Sequence, residues 1–135
     1  MAFESQIPEV LKAHILPLRW DVRRVWALEA PVVEVPRQDF DYLLELPIWS
    51  SRKGAGMLFD VVPMAVIRDP SVCPYQARRI EDADTRWPLD FLLYQGRPWI
   101  LDGVHRLARH RMEGAEVIRV RFHPQDVARH IEPII

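Results

Sequence analysis

The sequence predicts a small α+β domain in which helices flank a mixed sheet. Two apolar runs, "LDFLLY" and "WILD", enclose the turn signal "QGRP", an arrangement typical of a β-hairpin. Apolar residues at helical spacing follow over 104–112, and an alternating run follows over 117–122. The order of strand, strand, helix and strand therefore predicts one sheet with a helix packed on it.

The chain has the size and composition of one folded domain. Its 135 residues are enough to bury roughly 65–70% of the surface that the unfolded chain exposes. Hydrophobic residues make up 49% of the chain and charged residues 27%, a balance that excludes a disordered protein. We divide the chain into an N-terminal helical segment, 1–20, and a domain that covers 21–135.

Charge and cysteine content exclude several classes of protein. The formal net charge is -1, so no global positive field attracts nucleic acid, and any basic site must be local. Cys73 is the one cysteine, which excludes an internal disulfide and a zinc site built on cysteines. The start of the chain has no basic leader region, and no apolar run reaches the roughly 18–20 residues that span a bilayer. We therefore expect a cytoplasmic protein with no membrane partner.

Helical and extended patterns alternate at the start of the chain. Apolar residues over 7–18 fall at helical spacing and predict an amphipathic helix that Pro17 ends or kinks. The β-rich runs 25–28 and 32–35 predict an extended pair or one broken strand. Apolar residues over 40–46 then form a short helical stripe.

The middle of the chain is predicted to contain a loop, a short strand and a charged segment. The stretch "SRKGAGM", 51–57, predicts an exposed loop and lacks the spacing of a Walker phosphate loop. The stretch "PMAVIRDP", 63–70, predicts a short strand. The stretch "QARRIEDADTRWP", 76–88, predicts a charged turn or a short helix.

The last third of the chain carries the clearest pattern. Asp102 is a good N-cap for the helix that follows it, and Gly114 stands where a left-handed residue ends that helix. An alternating strand over 117–122 and a short helix from Pro124 complete the chain. The predicted apolar face of the helix consists of Val104, Leu107, Ala108 and Met112.

The segment 102–106, "DGVHR", leads a strand directly into a helix. The first turn of a helix has unpaired backbone N–H groups and the positive end of the dipole, which together attract anions. Gly103 lets a ligand approach the backbone, and His105 and Arg106 can add charge-assisted hydrogen bonds to phosphate oxygens. Asp102 either caps the helix or faces the ligand as a base or a magnesium ligand. A capped helix without a ligand is the alternative interpretation.

The stretch "ILDGVHRLARHRMEGAEVIRVRF", 100–122, resembles the segment around the signature motif of the ParB/sulfiredoxin-like superfamily. The hairpin "PLDFLLYQGRPWILDG" is similar to the strand pair that precedes this motif. The resemblance implies a strand-turn-helix motif in which a Gly-x-x-Arg turn holds nucleotide phosphates. The implied phosphate-binding residues are Gly103, Val104, His105 and Arg106.

Members of this superfamily have different activities. Sulfiredoxins use a cysteine where this chain has Val104, so their chemistry is not expected. Chromosome-partition proteins bind CTP and clamp on DNA, but no helix-turn-helix domain follows the motif in this sequence. Free-serine kinases carry Asp-Gly-His-His-Arg, the closest version, with Val104 in place of the first histidine. The implied cofactor is ATP, ADP or CTP with Mg²⁺.

Phosphoryl transfer in such a site needs an acid or a base and further phosphate clamps. Asp82 and Asp84, together with Asp102, are the candidate acids, bases or metal ligands, and Arg79 is the candidate clamp. A solvated charged turn is the alternative interpretation of the segment that holds Asp82 and Asp84. His110, His123 and His130 lack metal-ligand spacing with one another, so no metal site built by the protein alone is predicted.

We expect a protein that binds a nucleotide or another phosphorylated small molecule and that hydrolyses or transfers a phosphoryl group, as a small-molecule kinase or a nucleoside triphosphatase. One alternative is a non-catalytic module that senses a nucleotide or works on DNA with a partner, although DNA is not the favoured partner. Another is a domain that only contacts proteins. Trp87 is a candidate for stacking on a base, with packing as the alternative. The candidate basic patch for DNA consists of Arg106, Arg109, Arg111, Arg119 and Arg121.

Overall fold

A four-stranded mixed sheet lies at the centre of the computed structural model, which describes residues 7–54 and 58–133. The strands are β1 (Val32–Pro36), β2 (Leu89–Tyr94), β3 (Arg97–Asp102) and β4 (Val117–His123), in the spatial order β1-β4-β2-β3. β4 runs antiparallel to β1 and parallel to β2, and β2 pairs antiparallel with β3. The predicted α+β domain with a small mixed sheet is confirmed.

Short helices surround the sheet. The α-helices are α1 (Val22–Trp26), α2 (Pro63–Arg68), α3 (Pro74–Glu81) and α4 (Val104–Met112). The 3₁₀ helices are Glu9–Leu11, Arg37–Glu45, Pro70–Val72 and Gln125–His130. Among the described residues, no helix has the length and hydropathy to cross a membrane.

The second half of the chain folds as its pattern predicts. Gln95 and Gly96 both have positive φ, 53° and 82°, which is the backbone of a type I′ hairpin turn between β2 and β3. α4 follows β3, and Gly114, with φ 72°, makes the left-handed turn that leads to β4. These elements confirm the predicted order of strand, strand, helix and strand.

Two predicted strands are helices. The run 25–28 begins inside α1, and the run 63–70 contains α2. Asp21 caps α1 by accepting a hydrogen bond of 2.9 Å from the backbone N–H of Arg23. Pro63 opens α2, where its missing N–H costs no hydrogen bond. The strand prediction is wrong for both runs because these helix-start signals outweigh the β propensity of the branched residues.

The N-terminal segment is not the amphipathic α-helix that its spacing predicts. Its described part forms only the 3₁₀ turn Glu9–Leu11 and further turns, and residues 1–6 lie outside the described part. Pro8 has extended backbone before the turn, and Pro17 cannot continue a helix. The predicted loop 51–57 likewise lies partly outside the described residues.

Apolar side chains pack on both faces of the sheet. One cluster includes Phe40, Leu43 and Leu44 of a 3₁₀ helix, Leu107 and Ala108 of α4, and Leu89, Phe91, Ile118 and Val120 of the strands. A second cluster joins Leu92, Trp99 and Leu101 to Leu16, Val25 and Ile131. β4 alternates between buried and exposed residues as predicted, whereas Met112 is half exposed, so the apolar face of α4 ends before its last turn. This packing fixes the end of β3 and the start of α4 at one edge of the sheet.

Candidate functional site

A polar pocket with a volume of about 320 Å³ opens at the start of α4. The turn that follows α3 and the junction between β3 and α4 both contribute to it. Its lining residues are Trp26, Arg79, Asp82, Ala83, Asp84, Asp102, Gly103, His105 and Arg106. The structure therefore brings together the predicted site residues from two distant segments, except Val104, which is not part of the lining.

The start of α4 carries no side-chain cap. Gly103 occupies the N-cap position, and the prediction that Asp102 caps the helix is wrong. The Oδ2 atom of Asp102 instead accepts hydrogen bonds from Trp26 Nε1 at 2.7 Å and from Arg106 Nη2 at 2.8 Å. The first N–H groups of a helix have no partner within it, so this end of α4 retains its capacity to bind an anion.

Gly103 is required by both its backbone angle and its surroundings. Its φ is 119°, a region that side-chain-bearing residues rarely adopt. A Cβ atom here would lie 2.8 Å from Cγ of Leu89 and 3.2 Å from its Cα. The glycine therefore allows α4 to start directly against β2, at a position that lines the pocket.

Arg106 lies at the boundary of the pocket. Its side chain is only 15% exposed, and Nη2 forms the ion pair with Asp102. The Nε atom is buried, and no described residue accepts a hydrogen bond from it. Arg106 therefore combines one internal ion pair with one spare donor.

Arg79 supplies a second cation from α3. The side chain is exposed, and its guanidinium lies 5.8 Å from the centre of the Tyr75 ring. Within the described residues, Arg79 forms no ion pair and no hydrogen bond through its side chain. Its positive charge is thus available to a bound anion.

His105 is held beneath the pocket as a neutral ring. Gln76 Nε2 donates to the backbone carbonyl of Ser50 at 2.7 Å, which leaves Gln76 Oε1 to accept from His105 Nε2 at 2.7 Å. The ring also stacks on Trp49, with centroids 4.2 Å apart. Burial, followed by the charges of Arg79 and Arg106, lowers the pKa of His105 to about 3. His105 is therefore uncharged at neutral pH, and it cannot donate the charge-assisted hydrogen bond to phosphate that the sequence predicts.

The three candidate acids differ in how they are bound. Asp84 forms a bidentate pair with Arg86, with 2.7 Å between Oδ2 and Nη2, and the hydrogen bonds from Arg86 lower its pKa to about 2. Asp102 is held by Trp26 and Arg106. Asp82 is exposed, and its carboxylate pairs with no described residue. Asp82 is therefore the acid with a carboxylate available for a ligand.

The described residues contain no group of three or more histidine, cysteine or acidic side chains arranged to hold a metal ion. A magnesium ion that accompanies phosphate groups needs only one or two protein carboxylates. Asp82 and Asp84 have the right oxygen donors for that role. These two carboxylates therefore fit a magnesium ion whose other ligands come from a phosphate group and water.

A larger cleft, with a volume of about 800 Å³, adjoins the polar pocket and shares Trp26 and Arg106 with it. Its other lining residues are Leu28, Glu29, Ala30, Val32, Trp87, Pro88, Asp90 and Arg121. Asp90 is buried and accepts hydrogen bonds from Arg121 Nε at 2.7 Å and His123 Nε2 at 2.9 Å. Arg121 also donates to the backbone carbonyl of Leu28 at 2.7 Å, so the network ties α1 to the sheet.

Sequence reasoning missed this network and the roles of Trp26 and Gln76. An acid within the otherwise apolar run "LDFLLY" is the signal for Asp90, since a buried carboxylate needs partners. Arg121 and His123 are two residues apart in β4, so their side chains lie on the same face of the strand. The roles of Trp26 and Gln76 could not be predicted from neighbouring residues, because their hydrogen-bond partners are distant in sequence.

The candidate basic patch is mostly occupied by internal contacts. Arg106 and Arg121 pair with aspartates, Arg109 bonds to Glu113 and to the carbonyl of Glu81, and Arg119 bonds to the carbonyl of Arg86. In the described part of the chain, Arg111 is the member with no such bond. The structure does not gather these arginines into a free cationic surface.

No protein-family model, curated protein or solved structure matches the chain. The resemblance of 100–122 to the ParB/sulfiredoxin-like superfamily therefore stays a prediction that rests on the sequence motif.

Proposed function

We propose that this protein binds a nucleotide or another phosphorylated small molecule at the start of α4 and that it hydrolyses or transfers the phosphoryl group. The observation that carries the proposal is the uncapped helix start, at which Arg79 and Arg106 line the same pocket. Backbone N–H groups, a helix dipole and guanidinium groups are the donors that phosphate oxygens bind best.

Phosphoryl transfer depends on positioning and on stabilising the charge of the transferring group. In the proposed site, the Arg106 side chain and the exposed Arg79 guanidinium contact phosphate oxygens, which also approach the backbone at Gly103. Asp82 takes the proton from the attacking hydroxyl or water as the new P–O bond forms and the bond to the leaving group breaks. Magnesium bound to the phosphates, with Asp84 as a ligand, would neutralise charge on them.

A thermal-shift screen against ATP, ADP, CTP, GTP and inorganic phosphate, each with and without Mg²⁺, tests the binding site. A ligand at one hundred times its Kd stabilises the folded protein by about 2.7 kcal/mol, which raises Tm by several degrees. Arg106→Ala is expected to remove the shift, and Arg111→Ala is the matched control on the same helix. A shift that survives Arg106→Ala would contradict the assigned site.

Turnover tests the enzymatic part of the proposal. Release of phosphate from the nucleotide that binds is expected to require Mg²⁺. Asp82→Asn is expected to lower kcat by on the order of 10²-fold while binding persists, because it removes the available base. Unchanged turnover in Asp82→Asn would show that Asp82 is not the base.

The internal partners of Asp84, Asp102 and His105 favour a second candidate, a module that binds a nucleotide without catalysis. These side chains are already held by protein groups, so they form a binding surface more readily than a catalytic one. Binding that is lost in Arg106→Ala, with no turnover under any condition, would support this candidate over the enzyme.

A further inference from the structure

We infer that the 800 Å³ cleft beside the polar pocket binds a planar aromatic ring carried by the same ligand whose phosphate lies at the start of α4. This inference rests on the proposed function and narrows its ligand class. The ligand would be a phosphate ester that also carries an aromatic ring, such as a nucleotide. Inorganic phosphate and phosphate esters without an aromatic ring would be poorer ligands.

The cleft displays two large aromatic side chains to solvent. Trp26, from α1, is 57% exposed, and Trp87, from the turn before β2, is 60% exposed. Val32 of β1 is also about half exposed in the same cleft, and Leu28 and Pro88 add further apolar surface. Exposed apolar surface gathered in a concave site is typical of a ligand-binding pocket, and the volume lies within the range for small organic ligands.

The ring of Trp26 is held in a fixed orientation. Its Nε1 donates to the same Asp102 carboxylate that pairs with Arg106. Arg121 donates to the carbonyls of Val25 and Leu28, which anchors α1, the helix that carries Trp26. A platform that is already ordered loses little conformational entropy when a ring stacks on it.

Charge separates the two parts of the site. The charged residues of the cleft are two acids, Glu29 and Asp90, and two arginines, Arg106 and Arg121. Asp90 is paired with Arg121, and Arg106 with Asp102. The exposed Glu29 is then the charge of the lining that no described residue pairs with, so the cleft suits an uncharged group better than an anion. The helix start and Arg79 lie in the polar pocket, which suits the ionised group of the same ligand.

The two cavities share Trp26 and Arg106, so a single ligand can occupy both. Arg106 would contact the phosphate while Trp87 and Trp26 contact the ring. Stacking on an aromatic side chain contributes about 1–3 kcal/mol per base, which corresponds to roughly 5- to 150-fold in affinity. The ring therefore adds affinity that a phosphate and a sugar alone do not have.

Calorimetric titration of the full chain with AMP, CMP, ribose 5-phosphate and adenosine tests the inference. The tighter-binding of the two nucleotides is expected to exceed ribose 5-phosphate by on the order of 10-fold. Trp87→Ala is expected to remove most of this difference and to leave the affinity for ribose 5-phosphate unchanged. Trp87→Phe, the matched variant that keeps an aromatic ring, is expected to retain most of it.

The outcomes separate this inference from the proposed function. Equal affinities for the nucleotides and ribose 5-phosphate would overturn the ring site and leave the phosphate site in place. A nucleotide preference that survives both Trp87→Ala and Trp26→Ala would also overturn it. Adenosine that binds through Trp87 while no phosphate compound gains affinity would retain the ring site and overturn the proposed function. Absence of binding by all four compounds would overturn both.

Discussion

At the scale of single residues, the site depends on one glycine and one neutral histidine. Gly103 has a φ of 119° and lies close to Leu89. A residue with a side chain would therefore strain the backbone and clash with Leu89 at this position. The ring of His105 forms a hydrogen bond with Gln76 and stacks on Trp49 beneath the pocket. The cations that face a ligand are therefore Arg79 and Arg106, because the ring of His105 is neutral.

Gly103→Ala is expected to destabilise the fold by on the order of 3 kcal/mol, because the new Cβ adds an overlap with Leu89 to the cost of a positive φ. Gly114→Ala is the matched control, since its φ is 72° and no atom lies within 4 Å of the new Cβ. That variant should lose only about 1–2 kcal/mol. Urea unfolding of both variants measures the difference, and equal losses would contradict the packing argument.

The neutral state of His105 predicts a pH dependence of stability. Its pKa is about 3 in the folded protein, below the ordinary value of 6.5, because burial opposes the charged ring. The stability from this group is full above pH 6.5 and is lost as pH falls toward 3, since only the unfolded chain then binds the proton. The slope contributed by His105 is up to about 1.4 kcal/mol per pH unit.

His105→Phe keeps a ring against Trp49 and removes the titration. Urea unfolding between pH 7.5 and 5 should therefore show a shallower pH slope for the variant than for the wild type. Parallel slopes would indicate that folding does not lower the pKa of His105.

At the scale of elements, α1 is the part of the site that depends most on distant contacts. It has five residues, Val22–Trp26, which is too short for stability on its own. Its position comes from Arg121, which reaches the carbonyls of Val25 and Leu28, and from the bond between Trp26 and Asp102. The buried Asp90 in turn fixes Arg121. The polar network between β2 and β4 thus sets one wall of both cavities.

Arg121→Met is expected to destabilise the protein by about 3–5 kcal/mol, because Asp90 would be left in the core without its guanidinium partner. Arg119→Met, an exposed position on the same strand, should cost less than about 1 kcal/mol. Urea unfolding measures both losses, and hydrogen exchange of the α1 amides reports whether the helix loosens. Similar stability of the two variants would show that the pair does not anchor α1.

At the scale of the whole molecule, the charge distribution does not favour binding to a nucleic acid. The net charge is -1, and four members of the candidate basic patch are bonded within the protein. At the polar pocket the helix start, Arg79 and Arg106 attract an anion, whereas the three aspartates of the lining oppose it, so any attraction acts only at close range. Long-range attraction of DNA needs cations spread over a surface.

We therefore expect no retardation of a short DNA duplex by the protein at about 50 mM salt. Electrophoretic mobility measures this, with the nucleotide that binds most tightly added in a parallel series. Retardation of the duplex would contradict the expectation. A plot of the logarithm of the binding constant against the logarithm of the salt concentration with a slope of several units would favour the DNA-associated module.

The sequence by itself determined the α+β class, the β2–β3 hairpin, α4 and the left-handed turn at Gly114. These features follow from local periodicity and from glycines at positions that need positive φ, which act over a few residues. The segment 102–106 also predicted which helix start faces the pocket, because the first turn of any helix exposes its N–H groups. Local propensity failed at α1 and α2, where Asp21 and Pro63 start helices in β-rich runs.

Only the tertiary structure decided which residues meet at the site. The turn after α3 lines the same pocket as Asp102. Trp26 donates a hydrogen bond to that aspartate across 76 positions of sequence, and Gln76 accepts one from His105 across 29. The physical reason is that such contacts depend on how the helices pack on the sheet, and no short-range pattern records that packing. The same packing made Asp102 a partner of Trp26, and it created the cleft that Trp26 and Trp87 line.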